Sequence, residues 1–398
     1  MIALFLIPLF LALSAYLYSW LIRWLSAISP FFRKKPVMIA IAVIMFICTA
    51  NVFTSYLFEP QGFGRLLKQF CYTWMAICMY ALMIVAIADL IRVIIKIVRK
   101  KKGMGGFSRS TKILAGVICL VLTAGVLVYG FVNARIVRTT SYDVAVDKDA
   151  GDMTDLNVVL VADLHMGINI GVDHIQKTVD AINALEPDIV VVAGDIFDNE
   201  YDALDDEEEL IRILSSIQSK YGVYCVFGNH DIEEKLLCGF TFNFHSVKKA
   251  DPRMESFIDK CGWIWLNDET VTIADSIYLA GRPDYRKPGE FIIQRKSPEE
   301  ITSGLDQSKP IIVFEHEPVE LDKLANAGVD VELAGHTHDG QFFPMNITNR
   351  IIWENGYGYL NKNGMHSIVT SGAGLYGPYL RVCTIAEVTQ VNIHFSGN

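Results

Sequence analysis

Acidic side chains are nearly missing from the first third of this chain. Before Asn133 there are two, Glu59 and Asp89, against fourteen Lys and Arg, a net of +12; the remainder holds forty-two acidic and twenty-one basic residues, a net of −21, and together they make the chain's −9. A basic front joined to an acidic back reads as two physical objects, and 398 residues exceed one average domain. The back part lacks the Lys and Arg surplus that phosphate backbones recruit, which argues against nucleic acid as a partner. Cysteine is sparse, with eight in all. Cys48, Cys71, Cys78 and Cys119 sit in apolar runs as small hydrophobes, and Cys225, Cys238, Cys261 and Cys383 have the spacing of neither a zinc knuckle nor a disulfide framework. A Cys238–Cys261 bridge stays open, although a domain of this size buries a core without staples. No basic residue precedes the first apolar run and no small-residue cleavage site follows it, so that run reads as a retained anchor rather than a signal peptide.

What is present is apolar: 52% hydrophobic residues and a mean hydropathy of +0.31. Four uncharged runs, residues 2–22, 37–58, 70–88 and 113–134, each approach the ~20 residues that a helix needs to cross a bilayer. Residues 1–134 are therefore expected to be a four-helix transmembrane anchor, and residues 135–398 a separate domain. Arg23, Arg33, Lys34 and Lys35 follow the first run, and eight basic residues from Arg92 to Lys112 follow the third, whereas the second connection has only Arg65 and Lys68. Basic connections stay in the cytoplasm, so the back domain is expected on the extracytoplasmic side. Asp89, near the cytoplasmic end of the third run, is the lone intramembrane charge, and with Arg92 three residues on it reads as an interfacial ion pair rather than a transport pathway.

From about Arg135 the pattern changes to β-branched runs alternating with helical stretches. Runs at 158–162, 189–193, 223–227, 311–315 and 331–334 read as strands, with helices expected at 171–185, 204–221 and 320–327. The fold class is α/β, built on a central buried sheet. In such sheets sites form at the carboxyl ends of the strands, and polar clusters fall there: Asp163-Leu164-His165, Gly194-Asp195-Ile196-Phe197-Asp198, Gly228-Asn229-His230-Asp231, His316 and Gly335-His336-Thr337-His338. Each alone is a weak signal; a Gly-Asp is commonly a turn and a lone His a structural residue. Five such clusters in one domain, each at a strand end, point to metal binding. Mixed imidazole, amide and carboxylate ligands suit Mn, Fe, Zn or Co better than Mg or Ca. Two such cations together neutralise phosphate charge and activate water.

This motif set resembles that of the calcineurin-like metallophosphoesterases over residues 158–341. The resemblance implies an α/β sandwich with two divalent metal ions. Asp163, His165 and His338 would hold one metal and Asn229, His316 and His336 the other, with Asp195 bridging. His230 would protonate or stabilise the leaving oxygen, while Asp231 would either orient His230 or cap a helix, and Asp198 would stand behind the ligands. Gly335 to Gln341, Gly281-Arg282-Pro283-Asp284 and Ser371-Gly372-Ala373-Gly374 resemble a narrower branch of membrane-attached bacterial phosphoesterases and relatives of the UDP-diacylglucosamine hydrolases. Asp339 departs from it where a second glycine is more usual and adds charge near the site; Ala386-Glu387-Val388 departs where proline is commoner. His174, His245, His366 and His394 have no partner at ligand spacing and stay outside the site.

Residues 239–253, with Phe240, Phe242, Phe244, Lys248, Lys249 and Arg253, read either as an ordinary loop or as a lid that dips into lipid headgroups. Tyr376, Tyr379 and Arg381 are further candidates for the site's mouth. The expected function is hydrolysis of a phosphodiester or pyrophosphate, with a lipid-linked ester as the substrate class and membrane lipids as partners. The alternatives are a phosphomonoesterase or nucleotide phosphodiesterase that is merely anchored, and a non-catalytic scaffold. Against the scaffold, all seven ligand positions and His230 are present.

Overall fold

In hydrocarbon a backbone satisfies its polar groups only within itself, so the long apolar runs form helices. The computed structural model describes residues 2–234, 236–237, 240–241, 251–287 and 294–396. The chain divides into two compact units, Met1–Val132 with Leu236–Phe242, and Asn133–Lys235 with Asn243–Asn398. The first holds α1 (Ile2–Ile28), α2 (Lys35–Thr54), α3 (Gly62–Lys101) and α4 (Arg109–Asn133). Pro36 stands in the first turn of α2, where its missing N–H costs nothing. Leu17, Cys78, Val85 and Cys119 pack together inside, while Ile39, Phe46, Val121 and Val128 are exposed, an arrangement suited to lipid. Asp89 accepts from Tyr16 Oη at 3.0 Å and pairs with Arg92 at 3.0 Å, the local ion pair expected from their spacing.

The expectation of four spanning helices is corrected. Among the described residues, three segments are long and apolar enough to cross a membrane: Ile7–Ile28, Lys35–Leu57 and Arg109–Asn133. The run at 70–88 lies inside α3, a helix of 40 residues, hence about 60 Å long. Charges flank the run at Arg65, Lys68, Asp89 and Arg92, and Cys71, Tyr72, Ala76, Cys78, Tyr80 and Val85 within it are buried in the helical unit. Much of its apolarity is spent on packing against protein.

The second unit is a sandwich. Its elements begin with β1 (Val137–Val146), β2 (Asp155–Val161), β3 (Ile189–Val192) and β4 (Val223–Cys225). A two-stranded ribbon, β5 (Leu236–Leu237) and β6 (Phe240–Thr241), follows separately. Then come β7 (Ile264–Trp265), β8 (Glu269–Ile273), β9 (Ile277–Arg282), β10 (Ile311–Glu315), β11 (Val331–Ala334), β12 (Gly358–Lys362), β13 (Met365–Val369) and β14 (Ala386–Phe395). The central buried sheet read from the strand pattern is a pair of six-stranded sheets, as the α/β sandwich implied by the resemblance requires, in the orders β1-β14-β2-β3-β4-β7 and β12-β13-β11-β10-β9-β8. Val158 and Leu160 of β2 pack with Leu279, Ile312, Phe314 and Leu333 between the sheets. Val159 and Val161 face the other way, under α5 (Val172–Asn183), α6 (Glu207–Leu214) and α7 (Pro252–Cys261). The second sheet's outer face lies under α8 (Pro298–Ile301) and α9 (Leu321–Asn326). Strands buried on both faces read as continuous apolar runs, which is why β2, β3, β10 and β11 are plain in the sequence. Helix α6 is shorter than the 204–221 expected, because the Ser215 and Ser216 hydroxyls bond back to the Ile211 and Ile213 carbonyls as it ends. Cys238, His245, Phe242, Phe244, Lys248 and Lys249 lie outside the described residues.

Candidate metal centre

The parallel strands of both sheets end at one place. The turns after β2, β3 and β4 deliver Asp163 and His165, Asp195, and Asn229 and His230; those after β10 and β11 deliver His316, and His336 and His338. Asp163, His165, Asp195, His336 and His338 all have φ between 47° and 70°. Left-handed backbone costs a non-glycine residue roughly 1–2 kcal/mol, and strain of this kind concentrates at functional sites. Glycine opens the space. A Cβ on Gly228 would strike the Asp195 backbone nitrogen and carboxylate, and one on Gly372 would come within 2.7 Å of the Asp163 Cβ.

Two ligand sets converge here. In one, His165 Nε2 stands 3.1 Å from His338 Nε2, and His338 Nε2 3.5 Å from Asp163 Oδ1. In the other, His316 Nε2 stands 3.0 Å from Asn229 Oδ1 and 3.1 Å from His336 Nδ1. Asp195 Oδ2 joins both, 3.6 Å from His165 Nε2 and 3.2 Å from His316 Nε2. Ligands around a tetrahedral ion with bonds of ~2.0–2.1 Å lie about 3.3 Å apart. The separations and the nitrogen-oxygen mixture therefore fit two divalent cations sharing the Asp195 carboxylate. All seven expected ligand residues are brought together.

The remaining ring atoms face protein groups. His316 Nδ1 donates to the Ala193 carbonyl at 2.8 Å, and His165 Nδ1 and His230 Nδ1 lie 3.4 and 3.3 Å from one oxygen of buried Asp198. Such outer partners fix which nitrogen faces a metal. His230 is the more open ring, and its backbone N–H donates to Asp195 Oδ1 at 2.7 Å. Asp231, considered as an orienter of His230, instead accepts from the Phe197 and Gly228 backbone N–H groups at 2.9 and 2.7 Å. It ties the β3 and β4 turns together, and Asp198 is the carboxylate beside the ring.

Charge follows burial. Burial pushes the Asp163 carboxyl up to about 6 against the pull of His316, with the charge of Asp195 adding to the rise. Burial also resists ionisation of Asp195, but His316 and His230 outweigh it and hold that carboxyl well below the usual carboxylate range. Burial and then the charge of His316 bring His336 down to about 3. Burial and the charge of His165 hold His338 well below its ordinary value. Both rings are thus neutral, the form that binds metal.

Residues that sequence reasoning missed or misplaced surround this floor. Arg381, a candidate for the mouth, is wholly buried and donates to the carbonyls of Ser371, Gly372 and Gly374, at 2.7, 3.1 and 2.7 Å. It clamps the glycine-rich stretch behind Asp163. The Tyr376 ring lies edge-on to His338 at 4.9 Å, and Trp353 edge-on to His336 at 5.3 Å. Glu317 Oε1, 3.4 Å from His336 Nε2, takes the ring atom that faces away from the ligand set. Its adjacency to His316 was the available signal. Asp339 is bonded to Asn349 rather than entering either set, and burial pushes its carboxyl up to about 6. His174 Nε2 donates to the Ala373 carbonyl at 2.8 Å, and His366 and His394 sit at the Ala145 carbonyl and the Asp155 carboxylate.

Residues 156–340 match the family described as calcineurin-like phosphoesterase. It is 29% identical over 285 residues to a transmembrane protein with metallophosphoesterase domain from Danio rerio, covering 69% of this chain and 62% of that one. A Bos taurus protein of the same name is 26% identical, with 74% and 66% covered. An uncharacterized metallophosphoesterase of Helicobacter pylori strain J99 is 26% identical, with 66% and 65% covered. The chain thus spans somewhat under two thirds of these relatives' length. Among solved structures, TT1561 of Thermus thermophilus gives a TM-score of 0.32 at 10% identity, covering 56% of this chain and 93% of that one. Purple acid phosphatase PPD1 from yellow lupin gives 0.30 at 11%, covering 62% and 55%.

Proposed function

We propose that this chain is a two-metal phosphoesterase that hydrolyses a phosphodiester or pyrophosphate, with a lipid-linked ester as its substrate class, at the extracytoplasmic membrane surface. The observation that carries the reading is Asp195 Oδ2, shared by two converging ligand sets. Bound cations would neutralise the phosphate and activate water for in-line displacement. The chain's own residues do the rest. Asp163, His165 and His338 form one cradle and Asn229, His316 and His336 the other, and the strained turns at Asp163, His165, His336 and His338 preorganise them. His230, partly open and held at Nδ1 by Asp198, offers Nε2 to the leaving oxygen and gives it a proton or a hydrogen bond. The membrane-surface part of the reading is supported by the three apolar helices and by relatives named as transmembrane proteins. The lipid-linked part, and the likeness to UDP-diacylglucosamine hydrolases, rest on sequence motifs.

The test is hydrolysis of bis-p-nitrophenyl phosphate and p-nitrophenyl phosphate by the full chain in detergent with Mn. Activity on the diester that a chelator abolishes, Mn restores, and Asp195→Asn lowers at least ~10²-fold establishes the reading. Activity confined to the monoester would replace it with an anchored phosphomonoesterase. A chain that binds Mn and turns over neither ester, even with lipid phosphates present, would leave a scaffold.

A further inference from the structure

The second unit has one helix built inside out. In α10 (Met345–Ile352) the buried residue is Asn349, while Ile351 and Ile352 are 78% and 73% exposed and Ile347 52%. Phe343 and Met345 at its foot are exposed too, so among the described residues most of the large exposed hydrophobics of this unit fall within ten residues. Scattered surface isoleucines need no explanation, but a contiguous patch on one helix does.

The helix is tied in place. Asn349 Nδ2 donates to the Gly356 carbonyl at 2.9 Å, and Asn349 is bonded to Asp339, next to the ligand His338. The chain leading into it pairs Phe342 with Val382, and the Phe343 N–H donates to the Val382 carbonyl at 3.0 Å. Neighbouring Arg381 and Thr384 accept at their carbonyls from Asn133 Nδ2, at 3.0 and 2.8 Å. Asn133 ends the apolar segment Arg109–Asn133. By covalent continuity it leaves the hydrocarbon at the membrane surface, and the segment 381–384, bridged to Phe342 through Val382, joins it to the foot of α10. The occupant that continuity names is the bilayer. Apolar side chains with an exposed Arg350 among them suit the acyl-headgroup boundary. Trp353, directly after the helix, borders His336, so a helix at that boundary places the metal centre beside it.

We propose that α10 lies in the membrane interface with Ile347, Ile351 and Ile352 among the acyl chains, so that the centre draws its phosphate ester from the bilayer surface. The second half of this statement rests on the phosphoesterase reading; the first does not.

The test uses the full chain with Cys238→Ser and Cys383→Ser, reconstituted in phosphatidylethanolamine–phosphatidylglycerol vesicles. An environment-sensitive fluorophore is attached at Ile351→Cys or Ile347→Cys, with Val128→Cys in α4 as the lipid-exposed reference and Lys177→Cys in α5 as the water-exposed one. The expected result is blue-shifted emission at 351 and 347, with quenching by lipids spin-labelled near the headgroup several times that at 177. Emission like that at 177 would overturn the proposal, because the helix would face water. A blue shift without lipid quenching would overturn it as well, because protein would be the cover. Hydrolysis of bis-p-nitrophenyl phosphate by the same vesicles reads the centre separately. Lipid quenching without hydrolysis would sink the phosphodiesterase reading and leave the docking surface standing.

Discussion

At the scale of single residues, the proposed mechanism separates side chains that would hold metal from one that would move a proton. His165, His316, His336 and His338 each turn one nitrogen into a ligand set and rest the other on a protein group or face away from the set. His230 is assigned to neither set: its Nδ1 lies 3.3 Å from Asp198 Oδ1, and its backbone N–H donates to Asp195 Oδ1. A proton donor matters most when the leaving oxygen is a poor one. His230→Gln is therefore expected to lower kcat by about 10²–10⁴-fold on an alkyl phosphodiester, and by much less on a p-nitrophenyl ester, whose phenolate leaves without help. Bound metal, measured by elemental analysis, should stay unchanged. Equal losses on both esters, or loss of metal, would make His230 a ligand rather than a donor.

At the scale of elements, the centre depends on turns tight enough to bring two sheets' strand ends together. Gly228 is the narrowest point, since its missing side chain leaves room for the Asp195 carboxylate. Gly228→Ala should leave a folded protein that has lost most of its Mn affinity. Isothermal titration alongside thermal unfolding reads this, and unimpaired binding would refute the packing argument. The strand ends were legible because β2, β3, β10 and β11 are unbroken apolar runs followed at once by Asp, Asn and His. The second sheet was not, because half of it comes from β8, β12 and β13, whose alternation of polar and apolar residues names no partner. Arg381 was hidden for a different reason: it acts behind His338 through a clamp that only tertiary packing creates. The α3 run looked like a span because hydropathy counts apolar residues without seeing that protein covers them. α10 was missed because its isoleucines face out, so periodicity alone could not tell its outer face from a core stripe.

At the scale of the whole molecule, the open quantity is the side of the membrane on which the centre works. With three candidate spans rather than four, counting crossings from the N-terminus no longer decides it. The last span decides it alone. Arg99, Lys100, Lys101, Lys102, Arg109 and Lys112 stand at or before its start, whereas Arg135 and Arg138 are the basic residues just beyond its end. Each Lys or Arg near an anionic cytoplasmic leaflet contributes about 1 kcal/mol, so the six together outweigh the two. The span's start should stay inside and Asn133 should emerge outside. Alkaline phosphatase fused after Asn398, which folds only outside the cytoplasm, should be active, and a fluorescent protein that needs the cytoplasm to mature should stay dark. Changing Arg99, Lys100, Lys101 and Lys102 to Gln should shift part of the population toward the opposite pattern. If the unaltered chain gave the opposite pattern, the centre would face cytoplasmic esters, and α10 would have to meet the inner leaflet instead.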